Sequence, residues 1–308
     1  GVAWPLSADI TPAPLGIGGL VAADKVYDAS TVASVGGSPV LMGNRFGQAV
    51  SLTGAVTGGS FAGADVGRQI TVSADLSGLA LSNPNFMIVG VSAPLSADIT
   101  ARPLTASIIG TPTKVYDAQT GMSSLTPTHF QLTGFVAGQG AEVTQSAGVF
   151  NDPNVAQAHT LSASIAAHQF TARSGTALSN YLLPTSASGP GRITPAPVRV
   201  ALGSLPTMSY MGDASQSVLG AADFSVTGFV AGQGARVTQT SGRFNDPQVA
   251  LAQTFTVTLR PSDFSALAGT DLSNYSLPAS VSAQASMRPA TITISASNAR
   301  KTYDGSTS

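Results

Sequence analysis

The segment LTGFVAGQGAEVTQSAGVFNDPNVA at residues 132–156 returns as VTGFVAGQGARVTQTSGRFNDPQVA at residues 226–250. A 94-residue shift carries Leu132 onto Val226. It also carries SNYLLP from Ser179 onto SNYSLP from Ser273, and RITPAPVRV from Arg192 onto SMRPATITI from Ser286. PLSADIT, identical at Pro5–Thr11 and Pro94–Thr100, gives an 89-residue shift on the N-terminal side. Self-similarity at a fixed period marks a tandem array, and a unit of about ninety residues is long enough to enclose a core of its own.

Within each unit the apolar pattern has period two. Ile70, Val72, Ala74 and Leu76 alternate with polar residues, as do Leu161, Ala163 and Ile165, then Phe255, Val257 and Leu259. Side chains on a strand point to opposite faces in turn, so these runs read as half-buried strands. Frequent Gly and Pro leave no room for long helices. The expected fold is all-β: tandem immunoglobulin-like β-sandwich repeats of short antiparallel strands, forming an elongated rod. Residues 1–12 read as the end of a preceding repeat. Residues 13–101, 102–195 and 196–289 read as three full ones, and 290–308 as the start of a following one. Pro12 and Pro14, Pro103, Pro195 and Pro197, and Pro289 mark the junctions, where such residues stiffen a short linker.

Composition narrows the function. A formal net charge of −1 with only 9% charged residues offers no field to steer nucleic acid or anionic lipid, so neither is expected as a partner. With zero cysteines, disulfides, thiolate metal sites and cysteine nucleophiles are excluded together. No apolar run reaches the ~18 residues of a membrane helix, so no direct membrane insertion is expected. Serines are plentiful, yet the nucleophile elbow G-x-S-x-G and phosphate-binding glycine loops are missing, which argues against an enzyme. No cofactor is expected.

A third signature opens each repeat: KVYDAS around Tyr27, KVYDAQT around Tyr116, SYMGDAS around Tyr210 and KTYDGSTS around Tyr303. Together with the NDPNVA and ADVG segments, SNY and the closing RITPAP, it resembles the YDG-type repeats of large bacterial exoproteins. The third copy has Met208 in place of lysine, with Met211 and Gly212 before Asp213, and is more similar to the neighbouring MBG-type repeats. The resemblance implies a filamentous-haemagglutinin-like adhesin of Gram-negative bacteria, exported by two-partner secretion through an outer-membrane partner and located at the cell surface. In such proteins the repeats are spacers for attachment, aggregation or biofilm cohesion, and no catalytic residues carry over.

The residues singled out are structural signatures: Tyr27 with Asp28, Tyr116 with Asp117, Tyr210 with Asp213, and Tyr303 with Asp304. Each ring is expected to fill a sandwich edge with its hydroxyl bonded to backbone, as in a tyrosine corner, while the aspartate closes a turn. Asp152 and Asp246 in the FNDP turns read as Asx-turns rather than calcium ligands, which need six to eight oxygens. His129, His159 and His168 do not recur under the 94-residue shift, so they read as surface residues. Lys25, Lys114 and Lys301, each two residues before a signature tyrosine, are expected to lie along the sandwich with the ammonium at its rim. A cross-link to an SNY or FND asparagine is the sharper alternative. Phe61, Phe86, Phe135 and Phe229 read as packing residues; stacked on sugars, they and Trp4 would serve a second function class, a module binding glycan, matrix polysaccharide or another copy of the chain. The second repeat, with its three histidines, is the first suspect for such a role.

Overall fold

The computed structural model describes residues 9–203, 205, 207–216, 219–295 and 300–306. Trp4, the start of the first PLSADIT copy and parts of segments 1–12 and 290–308 lie outside the described residues. Among the described residues strands dominate, joined by six one-turn 3-10 segments such as Leu178–Asn180 and Leu272–Asn274. Among the described residues no helix is long and apolar enough to cross a membrane.

The chain forms two compact units. One comprises the residues up to Pro112 with 121–150 and 160–191; the other comprises 113–120, 151–159 and the residues from Arg192 on. The signature turn of the second repeat and its NDP turn thus belong with the third repeat.

In the first unit, the first repeat has a three-stranded sheet ordered Val35–Met42, Ala13–Ala22, Phe86–Val91. Facing it is a five-stranded sheet ordered Lys25–Val26, Leu95–Thr100, Gly67–Ala74, Gly59–Phe61, Val32–Ala33. Ile17, Leu20, Phe61, Val72 and Ile99 fill the core. The second repeat gathers six strands in the order Gly121–Met122, Gly148–Phe150, Thr160–Ser164, Ser186–Pro190, Thr105–Ile108, Phe130–Thr133. Its alternation holds: Leu161 and Ala163 are buried while Thr160, Ser162 and Ser164 face solvent. In the second unit the four-stranded sheet Ser215–Gln216, Gly242–Phe244, Thr254–Thr258, Ser280–Gln284 covers a core in which the Phe244 and Phe255 rings meet edge to face at 5.1 Å. Burial of each such ring stabilises by about 1.5–3 kcal/mol.

The expectation of purely antiparallel pairing is corrected. Ala13–Ala22 runs parallel to Phe86–Val91, Lys25–Val26 to Leu95–Thr100, and Thr113–Val115 to Arg192–Thr194. The reason lies at the junctions, which are not free linkers. Leu95–Thr100 closes the first repeat against Lys25–Val26, and after one residue the same extended chain, as Arg102–Pro103, pairs with Tyr181–Leu182 of the second. Arg192–Thr194 and Ala196–Pro197 do the same between Thr113–Val115 and Tyr275–Ser276. Each of these junction segments thus lies parallel to the short strand that carries the signature lysine of the repeat it closes, Lys25–Val26 and Thr113–Val115. Pro103 and Pro197 sit at the ends of two-residue pairings, where a missing N–H costs least.

Glycine decides one detail of the sheets. A Cβ on Gly189 would lie 1.9 Å from the Ile108 carbonyl oxygen, so only glycine lets Ser186–Pro190 join Thr105–Ile108 in one sheet. The 94-residue shift places Ala283 there in the third repeat, where Arg199–Leu202 and Ser280–Gln284 lie in separate sheets.

Candidate functional site: the repeat junctions

The signature turn is built locally. Asp28 Oδ1 accepts from the Ser30 N–H at 2.9 Å, Asp117 Oδ1 from the Gln119 N–H at 2.9 Å, Asp213 Oδ1 from the Ser215 N–H at 2.8 Å and Asp304 Oδ1 from the Ser306 N–H at 3.0 Å. The expected role of the aspartates as turn closers holds in all four copies. The lysine two residues before Tyr27, Tyr116 and Tyr303 is a member of the same turn. Lys25 Nζ lies 2.7 Å from Asp28 Oδ1, and Lys114 Nζ 2.6 Å from Asp117 Oδ1. Lys25 also donates to the Ser30 and Val32 carbonyls and sits 5.4 Å from the Phe61 ring centre. Its ammonium therefore meets a carboxylate and carbonyls, not an asparagine. In the third copy the lysine position is taken by Met208, which is buried, and Asp213 closes its turn without the ion pair.

This arrangement sets an acid dependence. The Lys25 hydrogen bond, helped by the Ser30 N–H, holds the Asp28 carboxyl below the ordinary value of 3.8. At Asp117 burial pushes upward, and the Lys114 and Gln119 bonds outweigh it to the same net direction. A depressed folded pKa gives stabilisation that is complete above the ordinary value and lost as pH falls through the folded one. Asp28→Asn with Asp117→Asn is therefore expected to flatten the loss of thermal stability below about pH 4.

In the YD copies the residue after the aspartate adopts left-handed backbone, with φ 61° at Ala29, 62° at Ala118 and 83° at Gly305; in the third copy the positive φ falls instead on Gly212, before Asp213, at 102°. An L side chain in that region costs about 1–2 kcal/mol, part of which glycine returns as unfolded-state entropy. Ala118→Gly is expected to stabilise the fold by about 0.5 kcal/mol, read as a higher melting temperature.

The tyrosines correct the expectation. Tyr27 and Tyr116 are buried, but their hydroxyls reach across to the following repeat rather than to local backbone. Gln139 Nε2 donates to the Tyr27 hydroxyl at 3.0 Å, while Gln139 Oε1 accepts from the Tyr181 hydroxyl, which in turn accepts from the Val136 N–H at 3.2 Å. The Tyr27 and Tyr181 rings meet edge to face at 5.3 Å, and Phe135 packs on Tyr181 at 4.8 Å. The second junction repeats this. Gln233 Nε2 donates to the Tyr116 hydroxyl at 3.2 Å, the Tyr275 hydroxyl donates to Gln233 Oε1 at 2.6 Å, and the Val230 N–H donates to Tyr275 at 3.3 Å. Tyr116 meets Tyr275 at 5.3 Å, and Phe229 lies 4.5 Å from Tyr275. An amide suits this place because one arm donates and the other accepts, so a single side chain satisfies two phenols. Burial and the neighbouring Tyr116 push the Tyr275 phenol above its ordinary 10.0, against the Val230 N–H.

A second clasp lies beside each lock. Asn180, 2% exposed, accepts from the Val66 N–H at 2.9 Å and donates to Asp65 Oδ1 at 2.7 Å. Asn274, 1% exposed, accepts from the Val155 N–H at 2.8 Å and donates to Asn154 Oδ1 at 2.8 Å. Both asparagines end a 3-10 turn that hands directly into the junction tyrosine. The SNY asparagines, weighed from the sequence as cross-link partners of lysine, serve this clasp instead, and Gln139 and Gln233 are polar residues of the VAGQG segments that recur under the 94-residue shift.

The other candidates resolve simply. Asp152 and Asp246 form the expected Asx-turns, accepting from the Asn154 and Gln248 N–H groups at 2.7 Å each. His129 Nδ1 accepts from the Thr126 N–H at 3.0 Å, and His159 and His168 are exposed. Phe61 and Phe86 are core residues. The Tyr210 hydroxyl makes the expected backbone bond, donating to the Gly212 carbonyl at 3.3 Å, but Tyr210 is 38% and Tyr303 93% exposed, which corrects the expectation that these two rings fill a sandwich edge.

The fold and its junctions define a class: an array of all-β repeats joined one to the next by recurring tyrosine, glutamine and asparagine side chains. The YDG domain model matches residues 11–92 and 100–189, more than half of the chain, and the chain belongs to the YDG domain family. The third repeat lies outside the matched residues. No curated protein and no solved structure matches the chain.

Proposed function

We propose that this array is a structural spacer of a large secreted bacterial surface adhesin, of the filamentous-haemagglutinin-like kind exported by two-partner secretion. It is not an enzyme. Its length serves attachment, aggregation or biofilm cohesion, and its direct partners are the neighbouring repeats of its own chain. The observation that carries this reading is the junction. Tyr27, Gln139, Tyr181 and Asn180 are engaged in contacts between repeats, as are their second-junction counterparts Tyr116, Gln233, Tyr275 and Asn274. A formal net charge of −1 supports the absence of a nucleic-acid role.

A second reading, in which the array itself binds glycan, matrix polysaccharide or another surface, has one observation in its favour. The first repeat exposes Val40, Met42, Met87 and Val89 on its three-stranded sheet, with Phe46 beside them. The corresponding strands of the second repeat carry Gln131 and Thr133 facing Thr105 and Ser107. The suspect repeat is thus the first rather than the histidine-bearing second. Binding of the soluble chain to a panel of host glycans and bacterial exopolysaccharides tests the choice. The spacer reading expects no saturable binding; binding lost on Met42→Ser with Met87→Ser would replace it with the second.

A further inference from the structure

Every repeat begins and ends on strands that lie side by side and run in the same direction. In the first, Ala13–Ala22 pairs in parallel with Phe86–Val91 at five positions, and Lys25–Val26 continues the arrangement against Leu95–Thr100. Backbone bonds hold it from end to end: the Ala13 N–H donates to the Asn85 carbonyl at 2.8 Å, Ser92 to Ile17 at 2.8 Å and Tyr27 to Thr100 at 2.9 Å. In the second, Arg102–Pro103, Thr105–Ile108 and Thr113–Val115 run parallel to Tyr181–Leu182, Ser186–Pro190 and Arg192–Thr194. In the third, Ala196–Pro197 and Met208–Ser209 run parallel to Tyr275–Ser276 and Met287–Arg288.

Direction decides how such strands meet a pull. The chain enters a repeat at the start of its first strand and leaves at the end of its last, so tension draws parallel first and last strands past each other lengthwise. Ladder bonds run across the strands and are then loaded together, in shear. An antiparallel first and last strand would be peeled from one end, one bond at a time. No slack intervenes between repeats: Ala101 alone separates Leu95–Thr100 from Arg102–Pro103, and Pro195 alone separates Arg192–Thr194 from Ala196–Pro197. Tension leaving one set of parallel strands passes straight into the next.

We propose that these parallel pairings are force-bearing clamps, through which the array carries tension along its chain without unfolding. The inference rests on the spacer reading for its purpose, since a stalk is pulled from both ends. The clamp of the first repeat is stronger than that of the third. Ala283 stands where Gly189 lets Ser186–Pro190 join Thr105–Ile108, and among the described residues the third repeat has parallel pairings of two residues each.

Single-molecule force spectroscopy of the full chain tests this, and because the sequence has no cysteine, two introduced thiols define the axis of pull. Thr11→Cys with Ala101→Cys loads the first repeat in shear; Thr11→Cys with Asn85→Cys pulls the same strands apart from one end. The shear axis is expected to need about twofold more force, with the two variants melting at the same temperature. Ser92→Pro, which deletes the bond to the Ile17 carbonyl, is expected to speed unfolding on the shear axis about tenfold at a fixed force. Pro195→Cys with Ala290→Cys is expected to unfold the third repeat at a lower force than the first. Equal forces along the two axes of the first repeat, an unfolding rate indifferent to Ser92→Pro, or a third repeat as resistant as the first would overturn the proposal. The glycan panel tests the spacer reading separately: saturable binding there would remove the purpose of the clamps and leave their mechanics as measured.

Discussion

Tyr181→Ala is expected to destabilise the first junction by about 3–5 kcal/mol, the range for deleting a large buried ring. The ring is 5% exposed and touches Tyr27 from the preceding repeat and Phe135 from its own, so its loss opens a cavity between repeats rather than within one. Removal of its hydroxyl also takes a partner from Gln139 and from the Val136 N–H. Tyr181→Phe separates the two contributions: it keeps the ring and is expected to cost about 1–2 kcal/mol. Tyr275→Ala and Tyr275→Phe should reproduce the pair of values at the second junction. Chemical denaturation reads all four, and alanine variants no worse than the phenylalanine ones would remove the ring packing from the account.

The second large effect comes from changing one atom of the clasp. Asn180→Asp turns a donating amide nitrogen into a carboxylate oxygen 2.7 Å from Asp65 Oδ1. Two carboxylates at that distance in a covered junction cannot both stay charged, and the expected cost at pH 7 is about 3 kcal/mol. The shared proton raises the folded pKa of the pair above its unfolded value. The deficit is therefore absent below about pH 4, the unfolded carboxylate range, and grows as pH rises above it until the raised folded value is passed. Asn274→Asp makes the contrast, because its partner is Asn154, whose amide can rotate to donate to the new carboxylate. Its effect should stay below about 1 kcal/mol at every pH. Equal losses for the two substitutions at pH 7 would show that the clasp is not held by these hydrogen bonds.

Much of this was legible in the sequence because it is local or periodic. The period came from identical segments, the strands from alternation at Leu161 to Ile165 and Phe255 to Leu259, and the turns from Asp28, Asp117, Asp152 and Asp246, each of which needs a partner only two residues away. What failed was long range. The YD signature suggests a backbone partner for the Tyr27 hydroxyl, whereas it meets a glutamine 112 residues on. A motif at the start of one repeat cannot reveal that it completes the beginning of the next. Parallel pairing was hidden for the same reason: the alternation of Leu95–Thr100 is identical whichever way its neighbour runs, and only the continuation through Arg102–Pro103 fixes the direction. Gln139 and the clasp role of Asn180 could have been found by asking which polar residues recur inside apolar repeat segments, since a buried amide persists only where it has partners.

A double-mutant cycle on Tyr27 and Tyr181 tests the central claim, that the signature tyrosine is spent on the neighbouring repeat. Tyr27→Ala, Tyr181→Ala and the double variant, compared by chemical denaturation, are expected to give a coupling free energy of about 1–2 kcal/mol, as for residues in direct contact. Losses that add to within about 0.3–0.5 kcal/mol would mean that the two rings act independently, and would contradict a junction built from them.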